Sequence, residues 1–302
     1  MKKIIIALAV FLPGCAYFAA SSLKYKSYVL QLYFPSTKEN GSFYATPCVI
    51  DSKNGHCILD TGLDKSQIAE TPETSQFNII SKVKIVSMYG ERIATTVEVP
   101  ELTLGSDFVR KNFPATRSNS FHDLPEYLAV LGADVLIGTN FIFDFGAGEN
   151  NPAKLILEPT YHEVAAYQFQ EFDTILEDVR FITIRLTIEG KKIKAVWDTH
   201  APVSAFSTRF IEANSKYFKI LESRNDKDAH GMNGKQNFYQ LLKPVCITAK
   251  YCPYAMNYVV EHKLGLIGKE FEDIDAILGN DFILSFNWYF DFKNRKYFAK
   301  PR

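Results

Sequence analysis

The chain has 302 residues, 47% of them apolar and 23% charged, which is ordinary globular composition with ample material for one large or two modest cores. Thirty-four basic side chains balance thirty-four acidic ones. No Lys/Arg cluster is interleaved with aromatics, so no nucleic-acid-binding face is expected. Aromatics reach 14%, as suits β-rich cores and a cleft that grips apolar side chains.

The chain opens on a targeting segment. Lys2 and Lys3 precede nine apolar residues, 4–12, too few to span a bilayer as a mature helix. They end in Leu12-Pro13-Gly14-Cys15, which resembles the lipobox of bacterial lipoproteins. That resemblance implies a signal peptide over 1–14, lipidation of Cys15, and a membrane-anchored protein of the bacterial cell envelope, facing the periplasm or the surface. The other reading is an ordinary cleaved signal, with Cys15 removed or free. Export is expected under both, and it makes the remaining cysteines interpretable. Cys48 and Cys57 flank the turn-rich stretch 51–55, and Cys246 and Cys252 enclose 247–251. Two local disulfides, Cys48–Cys57 and Cys246–Cys252, are expected in an oxidising compartment. A metal site of Cys48, His56 and Cys57 is the alternative, but neither cysteine spacing resembles a zinc knuckle.

After a tether over 15–26, residues 28–34 alternate with period two and predict a strand. Residues 45–50, an Asn54-Gly55 turn and 56–60 predict a hairpin. Short strands follow over 82–87, 93–99 and 102–104, a short helix within 121–131, and strands over 135–138, 140–145 and 155–157. The stretch 158–178 lacks clean periodicity and reads as a connection. Strands resume over 182–188 and 193–198, and the aromatic C-terminus 286–298 supplies closing strands with aromatics as core.

The hairpin 45–60 ends on Ile58-Leu59-Asp60-Thr61-Gly62-Leu63. A buried strand that ends on a carboxylate is costly unless the carboxylate is satisfied or has work to do. The pattern returns 138 residues later as Val196-Trp197-Asp198-Thr199-His200-Ala201, and a serine follows each aspartate by six positions, Ser66 and Ser204. Gly231-Met232-Asn233-Gly234-Lys235 lines up with Ser87-Met88-Tyr89-Gly90-Glu91. Ile277-Leu278-Gly279 lines up with Leu136-Ile137-Gly138, each followed by an Asp/Asn-Phe pair. From aspartate to late glycine is 78 residues in the first half and 81 in the second. The spacing predicts an internal repeat of two similar β-rich units.

These elements, in this order, resemble the aspartic protease clan of the retropepsin and pepsin kind, over almost all the mature chain. The resemblance implies an all-β fold of two retropepsin-like β-barrel lobes with a cleft between them, an N-terminal lobe over 27–160, a linker over 161–178 and a C-terminal lobe over 179–302. It implies an aspartic endopeptidase acting on peptide or protein substrates, with no metal, no cofactor and no covalent intermediate. Asp60 and Asp198 are its dyad, because two carboxylates about 3 Å apart share one proton. The ionised member takes a proton from water and the protonated one donates to the scissile carbonyl. Thr61 and Thr199 hold the two loops together, and Gly62 lets the backbone turn tightly. Ser66 and Ser204 match a position that supports the dyad by hydrogen bonding. Tyr89-Gly90 looks like the flap tip that touches substrate. His200 departs from the family, which has glycine there. A ring beside the dyad either favours two ionised carboxylates, narrows substrate choice, or faces solvent. An inactive relative that binds peptides or envelope partners in its cleft is therefore the alternative function. No Gly-x-Ser-x-Gly and no His-Glu-x-x-His occurs.

Overall fold

The structure, a computed structural model, describes residues 26–33, 36–37, 41–87, 90–118, 126–146, 152–174, 180–227, 233–246, 259–262 and 272–302. The signal segment, Cys15, Tyr89, Cys252 and the stretch 228–232 lie outside them. No described helix is long and apolar enough to cross a membrane.

The architecture is all-β. In the first half, the strands Tyr44–Ile50, Lys53–Leu59, Tyr127–Leu131, Gln67–Ala69, Phe108–Ser118 and Gly90–Leu104 lie side by side in that order. The last returns to the first through Cys48–Leu104, Val49–Thr103 and Ile50–Leu102, closing a six-stranded barrel. Closure follows from sequence pattern: inward positions such as Ile50, Cys57, Leu59, Val97, Leu104, Ala115 and Leu131 are buried apolar residues that fill the barrel and its caps.

The first hairpin turns three residues earlier than expected. Asp51 and Ser52 occupy the left-handed region at φ 45° and 71°, and Ile50 pairs with Lys53, so they form the two-residue loop. Asn54-Gly55 is strand. Gly55 is needed there for another reason: a Cβ on it would lie 2.6 Å from Leu128 Cγ. The resulting register sets Cys57 opposite Thr46 and Cys48 opposite Gly55, and Cys48 and Cys57 are joined with their Cα atoms 5.8 Å apart.

Three other expectations shift. The described part of 121–131 is the strand Tyr127–Leu131, drawn into the barrel by parallel pairing with Lys53–Leu59. The expected strand 135–138 is instead part of a tight turn: Ala133–Val135 forms a 3-10 helix, Ile137 N–H bonds to Ala133 O, and Gly138 turns at φ 83°. The stretch 161–178 opens on helix α1, Tyr161–Tyr167, started by a reciprocal Thr160–Glu163 cap, followed by the strand Gln170–Thr174.

In the second half the strands Phe218–Lys227, Asn233–Leu241, Val259–His262, Ala205–Ser207, Ala276–Leu278, Lys191–Trp197, Thr183–Ile188 and Val245–Cys246 form one sheet in that order. A second closed barrel was expected. Among the described residues this sheet has no pairing between its two edges. A third sheet joins the halves. It runs Tyr28–Gln31, Lys154–Leu157, Phe141–Asp144, Phe286–Asp291, Lys296–Pro301, Gln170–Thr174, and its middle seam pairs Phe141 with Phe290 and Phe143 with Trp288. Trp197 is fully buried over that seam, its ring 5.1 Å from Phe290 and 5.5 Å from Phe143. The residue just before Asp198 is thus locked into the sheet that both halves share.

Candidate active site

Each aspartate is placed by a pair of parallel strands. Lys53–Leu59 runs beside Tyr127–Leu131, and Asp60 N–H bonds to Leu131 O at 2.9 Å. Lys191–Trp197 runs beside Ala276–Leu278, and Asp198 N–H bonds to Leu278 O at 3.0 Å. The two loops then meet through their threonines. Thr61 N–H donates to Thr199 Oγ1 and Thr199 N–H to Thr61 Oγ1, both at 3.1 Å. The Thr61 hydroxyl donates to Trp197 O at 2.6 Å, and the Thr199 hydroxyl to Leu59 O at 3.0 Å. Both threonines are buried, so each bond is made away from water and is costly to lose.

This reciprocal lattice brings the carboxylates of the two halves into one place. Gly62 N–H donates to Asp60 Oδ1 at 3.0 Å. Asp198 Oδ1 accepts from His200 N–H at 2.8 Å and Ala201 N–H at 3.1 Å. Gly62 is required by close approach: a Cβ on it would stand 2.1 Å from Asp198 Oδ2. In the second half the corresponding position carries His200. Its Nδ1 lies 3.0 Å from Asp60 Oδ2, across the junction, and its ring meets Phe43 edge-to-face at 5.9 Å. Of the three placements open to a histidine there, the ring takes the one facing the opposite carboxylate.

The electrostatics follow from burial and proximity. Burial first, and then the charge of Asp60, push Asp198 well above the usual carboxylate range, against the pull of its backbone donors and His200. Burial opposes a charged His200, but the charge and hydrogen bond of Asp60, with Asp198 behind, outweigh it and raise the ring to about 9.

The Ser66 and Ser204 hydroxyls bond to groups other than the Asp60 and Asp198 carboxylates. Ser66 Oγ donates to Asp134 Oδ1 at 2.7 Å and accepts from Gly132 N–H at 2.9 Å. Ser204 Oγ donates to Asp281 Oδ1 at 2.7 Å and accepts from Gly279 N–H at 3.0 Å. They tie each aspartate loop to the turn behind it. These bonds also correct the alignment of the halves: the counterpart of Gly279 is Gly132, six residues before Gly138. A Cβ on Gly132 would meet Leu63 O at 2.8 Å and one on Gly279 would meet Ala201 O at 2.7 Å, whereas Gly138 faces open space. Sequence reasoning missed Asp134 and took Asp281 only as the counterpart of Asn140, although each follows an apolar-apolar-Gly segment by two residues.

Gly90 pairs with Ser87 at the far end of the long hairpin Ile79–Ser87/Gly90–Leu104. Cys246 is disulfide-bonded, and its expected partner Cys252 lies outside the described residues. Among the described residues no three His, Cys, Asp or Glu side chains converge on a metal-binding arrangement. No family model matches the chain, and no curated protein matches it.

Proposed function

We propose that the chain is an exported aspartic endopeptidase, anchored to the bacterial envelope through a lipidated Cys15, with two retropepsin-like lobes and Asp60 and Asp198 as its dyad. The reciprocal Thr61–Thr199 lattice carries this reading. It joins two Asp-Thr turns from distant parts of the chain, which supports a pair of carboxylates close enough to share a proton. The raised Asp198 supports it, since a carboxylic acid that keeps its proton near neutrality can donate to a developing oxyanion. The ionised partner takes the proton of the attacking water as the tetrahedral centre forms. As that centre collapses, the proton taken from water passes to the departing nitrogen, which leaves as the amine while the carbonyl side becomes the acid; the substrate is a peptide bond of an extended chain lying across the junction.

The contact between His200 and Asp60 favours a second reading, a peptide-binding relative without hydrolysis, because the ring lies where it competes with water for Asp60 Oδ2. Cleavage of denatured casein between pH 3 and 7 by the mature protein tests both. Asp60→Asn and Asp198→Asn are each expected to lower kcat by roughly a hundredfold or more. Full activity in either variant refutes the dyad. An inactive wild type that still binds peptide, with binding weakened by the same substitutions, establishes the second reading.

A further inference from the structure

The two carboxylates do not have equivalent partners. Asp60 is met on both oxygens, by Gly62 N–H on Oδ1 and by His200 Nδ1 on Oδ2, each at 3.0 Å. Asp198 takes both its backbone donors on Oδ1, while Oδ2 lies against the α-carbon of Gly62 and accepts neither. An oxygen that accepts a hydrogen bond from a cation favours the carboxylate form. An oxygen without a donor is the one able to carry a proton. The halves differ because residue 62 has no side chain and residue 200 has one. The space Gly62 leaves for Asp198 has no equivalent for Asp60, whose carboxylate meets a ring instead. That ring is held in place by Phe43, which is itself 1% exposed.

We propose that His200 is a positioning residue that assigns the roles of the dyad: it holds Asp60 as the carboxylate and confines the shared proton to Asp198. Asp60 is then the base toward water and Asp198 the acid toward the carbonyl. In a dyad with glycine at both positions, symmetry leaves the proton free to reside on either member. The ionisable groups acting on the ring are Asp60, from the facing half, and Asp198, two residues before it, both of which stabilise its charge. The inference rests on Asp60 and Asp198 forming a dyad, and its test reads protonation directly so that it does not depend on turnover.

The experiment is carbonyl-region 13C NMR of the mature chain labelled at aspartate, at about pH 5.5, with the two signals assigned by Asp60→Asn and Asp198→Asn. In the wild type Asp60 is expected at the carboxylate position and Asp198 at the carboxylic-acid position. In His200→Gln the proton is expected to spread, moving the Asp60 signal toward the acid position and that of Asp198 away from it. His200→Gly serves if the first variant does not fold, and added imidazole is expected to restore the wild-type signals in it. Unchanged signals overturn the assignment, even where Asp60→Asn and Asp198→Asn are inactive. Should those two variants hydrolyse normally, the dyad reading fails, while the NMR signals still decide the proton's position.

Discussion

Replacing Thr199 by valine tests the junction between the halves without reference to activity. Valine keeps the shape and removes the hydroxyl, leaving Thr61 N–H and Leu59 O without the partners they have at 3.1 and 3.0 Å. Thr199 is fully buried, so solvent does not replace them. An orphaned buried donor or acceptor costs about 1–3 kcal/mol, so two cost about 2–6 kcal/mol before relaxation. Thr61→Val orphans a different pair, Thr199 N–H and Trp197 O. The double variant is expected to lose less than the sum, because the first gap already loosens the site of the second. The assay is equilibrium unfolding in urea, monitored by tryptophan fluorescence, since Trp197 adjoins the lattice. Thr46→Val is the internal control. Thr46 is also fully buried, but its hydroxyl has no hydrogen-bond partner among the described residues, so the same substitution there is expected to be neutral or to stabilise by about 1 kcal/mol. A Thr199→Val cost below about 0.5 kcal/mol, or equal effects at 46 and 199, refutes the reasoning.

Gly62→Ala places a methyl 2.1 Å from Asp198 Oδ2, so the carboxylate must move; a loss of about 1–3 kcal/mol in stability and a sharp fall in kcat are expected. Gly138→Ala, strained at φ 83° but facing open space, is expected to cost about 1–2 kcal/mol with kcat unchanged, as thermal melts and turnover on the same preparations will show. Reducing Cys48–Cys57, which closes a loop of sequence separation 9, is expected to cost about 2–3 kcal/mol, read as a shift of the urea midpoint. The pH dependence has a definite sign. The folded chain holds protons on Asp198 and His200 that the unfolded chain releases, so their contribution is complete at acid pH. It declines as pH rises, and the His200 part is lost between its ordinary 6.5 and about 9. Urea midpoints are expected to fall across that window in the wild type and to fall less in His200→Gln, where Asp198 alone still titrates.

The Asp-Thr turns were legible in the sequence because each ends an apolar strand, and burying a carboxylate there needs a reason. The cysteine spacing was equally direct for Cys48 and Cys57. The later glycine was misjudged because the first half offers two apolar-apolar-Gly segments, Val130-Leu131-Gly132 and Leu136-Ile137-Gly138. Local pattern does not separate them; only the parallel pairing of Leu131 with Leu59 shows which one backs the aspartate. Ser66 and Ser204 were singled out by their offset as supports of the Asp60 and Asp198 carboxylates, yet an offset does not name a partner, and the hydroxyls bond to Asp134 and Asp281. For His200 the sequence showed that glycine was missing, but the direction of the ring depends on Phe43, 157 residues earlier in the chain.

The sheet shared by the halves has a consequence in time. Phe141–Asp144 pairs early with Lys154–Leu157 but finds its second neighbour only when Phe286–Asp291 is made, about 145 residues later. At about 5–20 residues per second, synthesis of that interval takes roughly 7–30 s. Throughout it, a strand reading Phe-Ile-Phe-Asp has one edge open to any other extended chain. The barrel can close early, since all its strands lie before residue 132, but the seam beneath Trp197 waits for residues 286–291. Conditions that slow synthesis or crowd nascent chains are therefore expected to divert this protein into strand-paired aggregates at the 141–144 edge.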